Sequence, residues 1–256
     1  MSETDPWWLR TWQQRHDAVE DALGPTENEV VSFSWQPRTR APGACALTLP
    51  PVDDGPLRRS EWLYLSMGLS QPFSAAQDQE RRANGEAHSG FGYEFAVLAD
   101  RAAPWAAELL YEMITYFTEA DASVAGWGDR IAFGVYMADG AQHLMIGSVE
   151  NRQPTGDLRA LLVWPYRRRQ YFLTSTGKTD VLVATGITAG EWALAKATTS
   201  QHLVLLLEQA GIGQKTDLSR SCLTRDPAAM AAWSNIKVLD AGEAWNRATR
   251  APLSAS

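Results

Sequence analysis

Cysteine and histidine are scarce: two cysteines, Cys45 and Cys222, and four histidines in 256 residues. Two thiols are too few for a disulfide framework, and reduced, buried thiols are the default for a cytosolic chain. His16, His88, His143 and His202 are widely separated, with no two at helical metal-ligand spacing, so no metal and no cofactor is expected. Neither cysteine stands in a nucleophile motif, and the Gly-x-Ser-x-Gly elbow is missing. Long apolar runs are lacking too, and the start, Met1 to Trp8, has no basic segment followed by an apolar one. No membrane association is therefore expected, and the cytoplasm is the expected compartment. Basic residues are outnumbered, 23 Lys and Arg against 30 Asp and Glu, for a formal charge of −7. Binding nucleic-acid phosphates needs a basic field, so DNA and RNA are not expected partners, whereas a basic protein is allowed. The one conspicuous basic cluster, Arg167-Arg168-Arg169, is too short for a nucleic-acid stripe.

What is present is an ordinary folding composition, 45% apolar and 21% charged, in a chain long enough for a full core. We take residues 1–256 as one domain. Eleven tryptophans are scattered from Trp7 to Trp245, which fits core packing better than an aromatic stacking platform. Arginine outnumbers lysine 19 to 4, which together with abundant alanine points to a bacterial gene of high GC content.

Pro6 near its start and Gly24-Pro25 past its end frame a capping helix over about residues 5–24. Residues 29–35 alternate with the period of a half-buried strand, and residues 61–69 form a second. Prolines and glycines interrupt any long element between residues 36 and 56. Residues 71–89 are polar and read as an exposed loop or mobile lid. Pro104 opens a helix whose apolar positions Trp105, Leu109, Leu110, Met113, Ile114 and Phe117 recur at three and four residues. Asp139-Gly140 marks a hairpin between apolar runs 130–137 and 142–149. Further strands are expected at 158–163, 170–173 and 181–184. Thr188 with Glu191 makes a capping box that opens one helix to Gly211. A short helix over 227–233 follows, and a frayed tail over about 247–256. Hairpin-joined strands with helices inserted between them predict an α+β fold with a mixed, largely antiparallel sheet.

Nucleotide motifs fail on inspection. Gly177-Lys178-Thr179 matches the end of a phosphate-binding loop, but the first glycine would fall at Phe172, and a strand follows where a helix is required. Thr174 to Asp180 reads instead as a hairpin turn. The most distinctive stretch is Gly90-Phe91-Gly92-Tyr93-Glu94, two glycines opening an apolar strand that carries one carboxylate. A buried charge requires a partner, which Arg101 or Arg220 could supply, and the expected pairing is that of Arg220 with Glu94 or with Asp217. Asp217 also caps the turn Leu218-Ser219-Arg220.

The same stretch, preceded by Glu61-Trp62-Leu63-Tyr64-Leu65-Ser66-Met67-Gly68-Leu69-Ser70, continues in order with Pro104-Trp105, Gly186-Ile187-Thr188-Ala189-Gly190-Glu191 and Thr216-Asp217-Leu218-Ser219-Arg220-Ser221. This succession, strongest over residues 62–223, resembles the suppressor of fused (SUFU-like) domain family, here a bacterial member. The resemblance implies a SUFU-like fold in which Gly90, Phe91, Gly92, Tyr93, Glu94, Thr216, Asp217 and Arg220 are structural motif residues. It implies a non-enzymatic protein-binding domain with no catalytic residue. Bacterial relatives further suggest an immunity protein that binds and neutralises the toxin domain of a polymorphic or contact-dependent toxin system, the toxin being basic. Acidic stretches at Glu27 to Glu29, Asp53-Asp54 and Asp78 to Glu86 are candidate contact surfaces. The alternative from a different class is a hydrolase or transferase with a pocket of His88, Tyr93 and Glu94 beside the 71–94 loop and strand.

Overall fold

The computed structural model describes residues 6–27, 31–32, 45–53, 55–72, 74–85, 87–119, 134–136, 145–146, 153–154 and 157–250. In chain order its elements are α1 (Pro6–Leu23), β1 (Val31–Ser32), β2 (Cys45–Leu49), β3 (Trp62–Met67), α2 (Ala75–Ala83), β4 (His88–Ala99), α3 (Pro104–Glu119), β5 (Gly134–Tyr136), β6 (Met145–Ile146), β7 (Gln153–Pro154), β8 (Leu158–Pro165), β9 (Tyr171–Thr174), β10 (Gly177–Thr188), α4 (Ala189–Ala197), α5 (Ser200–Gln209), α6 (Pro227–Ile236) and α7 (Ala241–Arg250). The main sheet runs β1-β2-β3-β4-β10-β8-β5, with β9 beside β10. All its pairings are antiparallel except β4 with β10, so the architecture is the mixed, largely antiparallel α+β one.

Strand alternation divides the core between the two faces of this sheet. Tyr93, Phe95 and Val97 of β4 join Tyr64, Leu161 and Val163 beneath α3, which contributes Ala106, Leu109, Leu110, Met113 and Ile114. Ala96 and Leu98 face the other way, with Leu47, Leu63, Leu65 and Val183, under Val19, Ala22 and Leu23 of α1. Farther along that second face, Leu162, Trp164 and Ile187 are covered by Leu203, Leu206 and Leu207 of α5, Trp233 of α6 and Ala244 and Ala248 of α7. Truncating any one of these buried leucines costs about 2–5 kcal/mol, because the cavity left behind collapses only in part.

Several elements differ from the sequence reading. Residues 71–89 hold a helix, not a mobile lid: Ser74 caps α2 by accepting from Gln77 N at 3.1 Å, and Asp78 pairs with Arg82 one turn on at 2.9 Å. None of its residues is buried and it has no apolar side chain larger than alanine, so no apolar stripe marked it in the sequence. The helix is tied down by Arg81, which donates to Gly90 O, and Arg82, which donates to Ser175 O. The single helix expected from Thr188 to Gly211 is two, α4 and α5. The chain breaks at Thr198 (φ −136, ψ −109), the second helix starts after extended Thr199, and Thr199 Oγ1 bonds His202 Nδ1 at 2.6 Å. β2 lies in the stretch expected to be broken up, and α7 carries the chain in a helix through Arg250, where a tail fraying from 247 was expected. The turn at Asp139-Gly140 lies outside the described residues. Of the runs flanking it, Gly134–Tyr136 pairs with β8 and Met145–Ile146 with β7.

Candidate functional site

The motif residues fall into two buried polar centres. The first is built on the glycines of β4. Its register against β10 goes from His88↔Lys178 to Tyr93↔Asp180, so β4 bulges outward between His88 and Tyr93. Gly90 (φ +54) and Gly92 (φ +89) supply the left-handed backbone this requires. A Cβ on Gly90 would stand 2.5 Å from the Ser70 carbonyl carbon, so only glycine allows the bulge to touch the corner after β3. Phe91 N then donates to Leu69 O at 2.8 Å.

Into that corner points Glu94, fully buried. Its Oε1 accepts from Gly68 N (3.0 Å), Ser70 N (2.8 Å) and Ser70 Oγ (2.6 Å), and its Oε2 from Ser66 Oγ (2.6 Å). Arg15 of α1 reaches the same corner from outside the sheet. It donates through Nε to Ser70 Oγ at 2.9 Å, through Nη2 to Ser70 O at 2.5 Å, Ser89 Oγ at 2.9 Å and Thr176 Oγ1 at 3.2 Å, and through Nη1 to Gln71 Oε1. The two charges meet only through the Ser70 hydroxyl. Burial accordingly pushes the Glu94 carboxyl above its ordinary pKa against the pull of its hydrogen bonds, and brings Arg15 down to about 10.

The second centre joins the segments 186–191 and 216–223. Arg220 forks onto Glu191, Nη1 to Oε1 at 2.6 Å and Nη2 to Oε2 at 2.5 Å, and also donates to Gly186 O at 2.7 Å. Glu191 Oε2 accepts from Thr188 N (2.9 Å), closing the capping box of α4, and Oε1 from Leu223 N (3.0 Å). Burial would raise its pKa, but the Arg220 fork and the two backbone donors hold it below the ordinary value. Thr216 stitches the same loop to the sheet: its N donates to Leu98 O at 2.9 Å, and its Oγ1 accepts from Gly186 N at 2.9 Å. Asp217 Oδ1 accepts from Ser219 N at 2.8 Å and Ser219 Oγ at 2.6 Å, which fixes the turn.

The expected pairing of Arg220 with Glu94 or Asp217 is therefore corrected: its partner is Glu191, which also closes the capping box of α4. The pocket expected from His88, Tyr93 and Glu94 does not assemble. Tyr93 is buried beneath α3 and Glu94 is sealed in its corner on the opposite face, while His88 lies 3.5 Å from Asp180. A cavity of about 180 Å³ lies elsewhere, by Tyr166 and Glu61. Among the described residues no cluster of three or more His, Cys, Asp or Glu is placed to hold a metal. No helix described is long and apolar enough to cross a membrane. Both cysteines are buried and free, and burial pushes the Cys45 thiol up to about 12.

Two buried guanidiniums went unread in the sequence. Arg15 stands in the buried stripe Trp8, Thr11, Arg15, Val19 of α1, so its three- and four-residue spacing was the available signal. Arg59 donates to the carbonyls of Leu23 (2.7 Å), Leu49 (3.3 Å), Pro50 (2.7 Å) and Glu61 (2.9 Å), and no sequence pattern marks it.

Each centre is built around a carboxylate from the ordered motif segments, Glu94 in the first and Glu191 in the second. Against protein-family models, residues 47–221 match that of the suppressor of fused protein (SUFU). The chain belongs to the suppressor of fused family. Solved structures share the fold. The structure of the Sufu–Fu complex matches with a TM-score of 0.57 at 16% identity, over 86% of this chain and 96% of that one. Drosophila Suppressor of Fused matches with a TM-score of 0.57 at 17% identity, over 91% of this chain but 55% of its own. A suppressor of fused homologue from Neisseria gonorrhoeae gives 0.51 at 14% identity, over 84% and 97%. No curated protein sequence matches the chain.

Proposed function

We propose that residues 1–256 form one SUFU-like domain that binds a basic protein partner in the cytoplasm, and that it is an immunity protein neutralising a bacterial toxin domain. The match of residues 47–221 to the family carries this reading. A structure of the same fold is that of a Sufu–Fu complex, which supports protein binding as the mode of action. The formal charge of −7 favours a basic partner, because complementary fields speed encounter and suppress wrong partners. Every polar atom of Glu94 and Glu191 that the two centres hold is turned inward, so in this reading the motif residues hold the scaffold and the partner is met by surface residues. Exposed Tyr171 and Leu173 on β9, 44% and 65% accessible, are the kind of side chains such a contact uses.

Co-expression with the products of neighbouring open reading frames tests this. A stoichiometric complex on size exclusion, together with rescue of growth from the toxic product, is the expected result. Absence of a complex with every neighbouring product, from low to high salt, overturns it.

A further inference from the structure

Helix α2 stands on a base that is fixed more firmly than the helix itself. The chain leaves the body at Gln71 and returns to it at Ala87, and both points belong to the corner around Glu94 and Arg15. Phe91 N donates to Leu69 O at 2.8 Å, Ser89 Oγ to Ser70 O at 2.7 Å, and Lys178 N of β10 to Ala87 O at 2.8 Å. The Gln71 amide accepts from Arg15 Nη1 and donates through Nε2 to Thr11 Oγ1 of α1 at 2.8 Å. Ser70, Gln71 and Ser89 are all buried. The base is therefore closed by the sheet and by α1, whatever the residues between its ends do.

α2 has no comparable anchor. None of its side chains is buried. In its last turn Arg81 donates to Gly90 O and Arg82 to Ser175 O, and the Arg82 side chain is 51% exposed, so water competes for its bond. Within the helix, the Ser74 cap and the Asp78–Arg82 pair support a run of nine residues, a length that is marginal for a helix on its own. Past its end, a Cβ on Gly85 (φ +76) would meet nothing within 4 Å, so the return toward β4 begins in open space.

We propose that residues 72–86 are a hinged strap: at rest α2 is docked, but it lifts and unwinds as one unit while the base and the core stay closed, with Arg81 and Arg82 as its latch. Segments that bury few apolar groups open at a small fraction of the free energy of global unfolding. Lifting α2 exchanges rim hydrogen bonds for bonds to water and uncovers no core side chain of its own. The loop it forms is already closed by the base, so no further ordering is lost there. One interior group responds. Lifting carries Asp78 away from Arg15, whose buried charge Asp78 helps to support, so the guanidinium favours the docked strap.

The test is residue-resolved amide hydrogen exchange of the full chain over a series of sub-denaturing urea concentrations. Asp78 and Asn84, whose amides donate to Ser74 O and Glu80 O at 3.0 Å, report the strap, and the amides of β4 report the body. Strap amides are expected to exchange at least about a hundredfold faster than those of β4, at a rate that scarcely changes with urea, because a local opening exposes little surface. Arg82→Ala and Ser74→Ala each speed strap exchange by about three- to tenfold. Ile187→Val, a mild truncation in the core under α5, separates the two motions, because the docked and lifted states share its contacts. It speeds β4 exchange by about two- to tenfold and leaves the strap unchanged. Strap amides that follow β4 in rate and urea dependence, or that Ile187→Val speeds by the same factor as β4, overturn the proposal. Strap amides without protection overturn it too, since such a segment is never latched.

Discussion

Two buried glutamates with the same number of hydrogen-bond donors around them titrate in opposite directions. Glu94 accepts four hydrogen bonds, from two backbone amides and two serines, and meets its cation only through the Ser70 hydroxyl. Glu191 also accepts four, but two come from the guanidinium of Arg220 in a fork. Burial wins at Glu94, whose pKa is raised, and loses at Glu191, whose pKa is lowered. Neutral dipoles therefore do not replace a contacting charge. They satisfy the lone pairs but leave most of the desolvation cost of the ion in place.

The strongest test of the difference is Arg220→Ala. It strands the Glu191 carboxylate inside the protein, and we expect a loss of about 3–5 kcal/mol, read from the urea midpoint. Ser70→Ala comes next. It removes the one hydroxyl shared by Glu94 and Arg15 but leaves each its other partners, and about 1–3 kcal/mol is expected to be lost. The smallest change is Glu94→Gln, within about 1 kcal/mol at neutral pH, because one amide oxygen can keep the three donors of Oε1 and the site already disfavours charge. A Glu94→Gln loss as large as that of Arg220→Ala breaks the comparison.

Acidity sharpens it further. Glu191 has a folded pKa below its ordinary 4.5, so its stabilisation is complete above 4.5 and is lost as pH falls through the folded value. The stability gap between the native chain and Glu191→Gln is expected to close on acidification. Glu94 has a folded pKa above 4.5, so the cost of its ionised form is full above that folded value and is relieved as pH falls through it. Relative to Glu94→Gln, the native chain is expected to gain stability over that window. Urea titrations at a series of pH values read both signs.

Much of this was legible in the chain because local patterns carried it. Apolar stretches located β3, β4 and β8, the three- and four-residue spacing from Trp105 to Ile114 located α3, and Thr188 with Glu191 announced the start of α4. The mixed sheet followed from these elements. What escaped was non-local or had another explanation at hand. α2 buries nothing, so its helix rests on a cap and an i,i+4 pair rather than on a stripe. Glu191 was accounted for by its cap, which hid its second role as the acceptor for a guanidinium 29 residues away. Arg15 and Arg59 contradict the rule that charges stay outside, and each is buried because backbone carbonyls or hydroxyls surround it, an arrangement that only the folded chain assembles.

The reach of Arg15 also sets an order of events during synthesis. Helix α1 leaves the ribosome before the strands it braces, yet its arginine bonds Ser70, Ser89 and Thr176, which are 55, 74 and 161 residues downstream. β2, β3 and β4 follow as an antiparallel meander that pairs with its own neighbours as it emerges. The second edge of β4 waits for Lys178 to Val183 of β10, and the final bond of α1 waits for the hairpin at Thr176. A helix made before the sheet is thus locked only after it, and until then the nascent chain carries an open strand edge of the kind that invites aggregation.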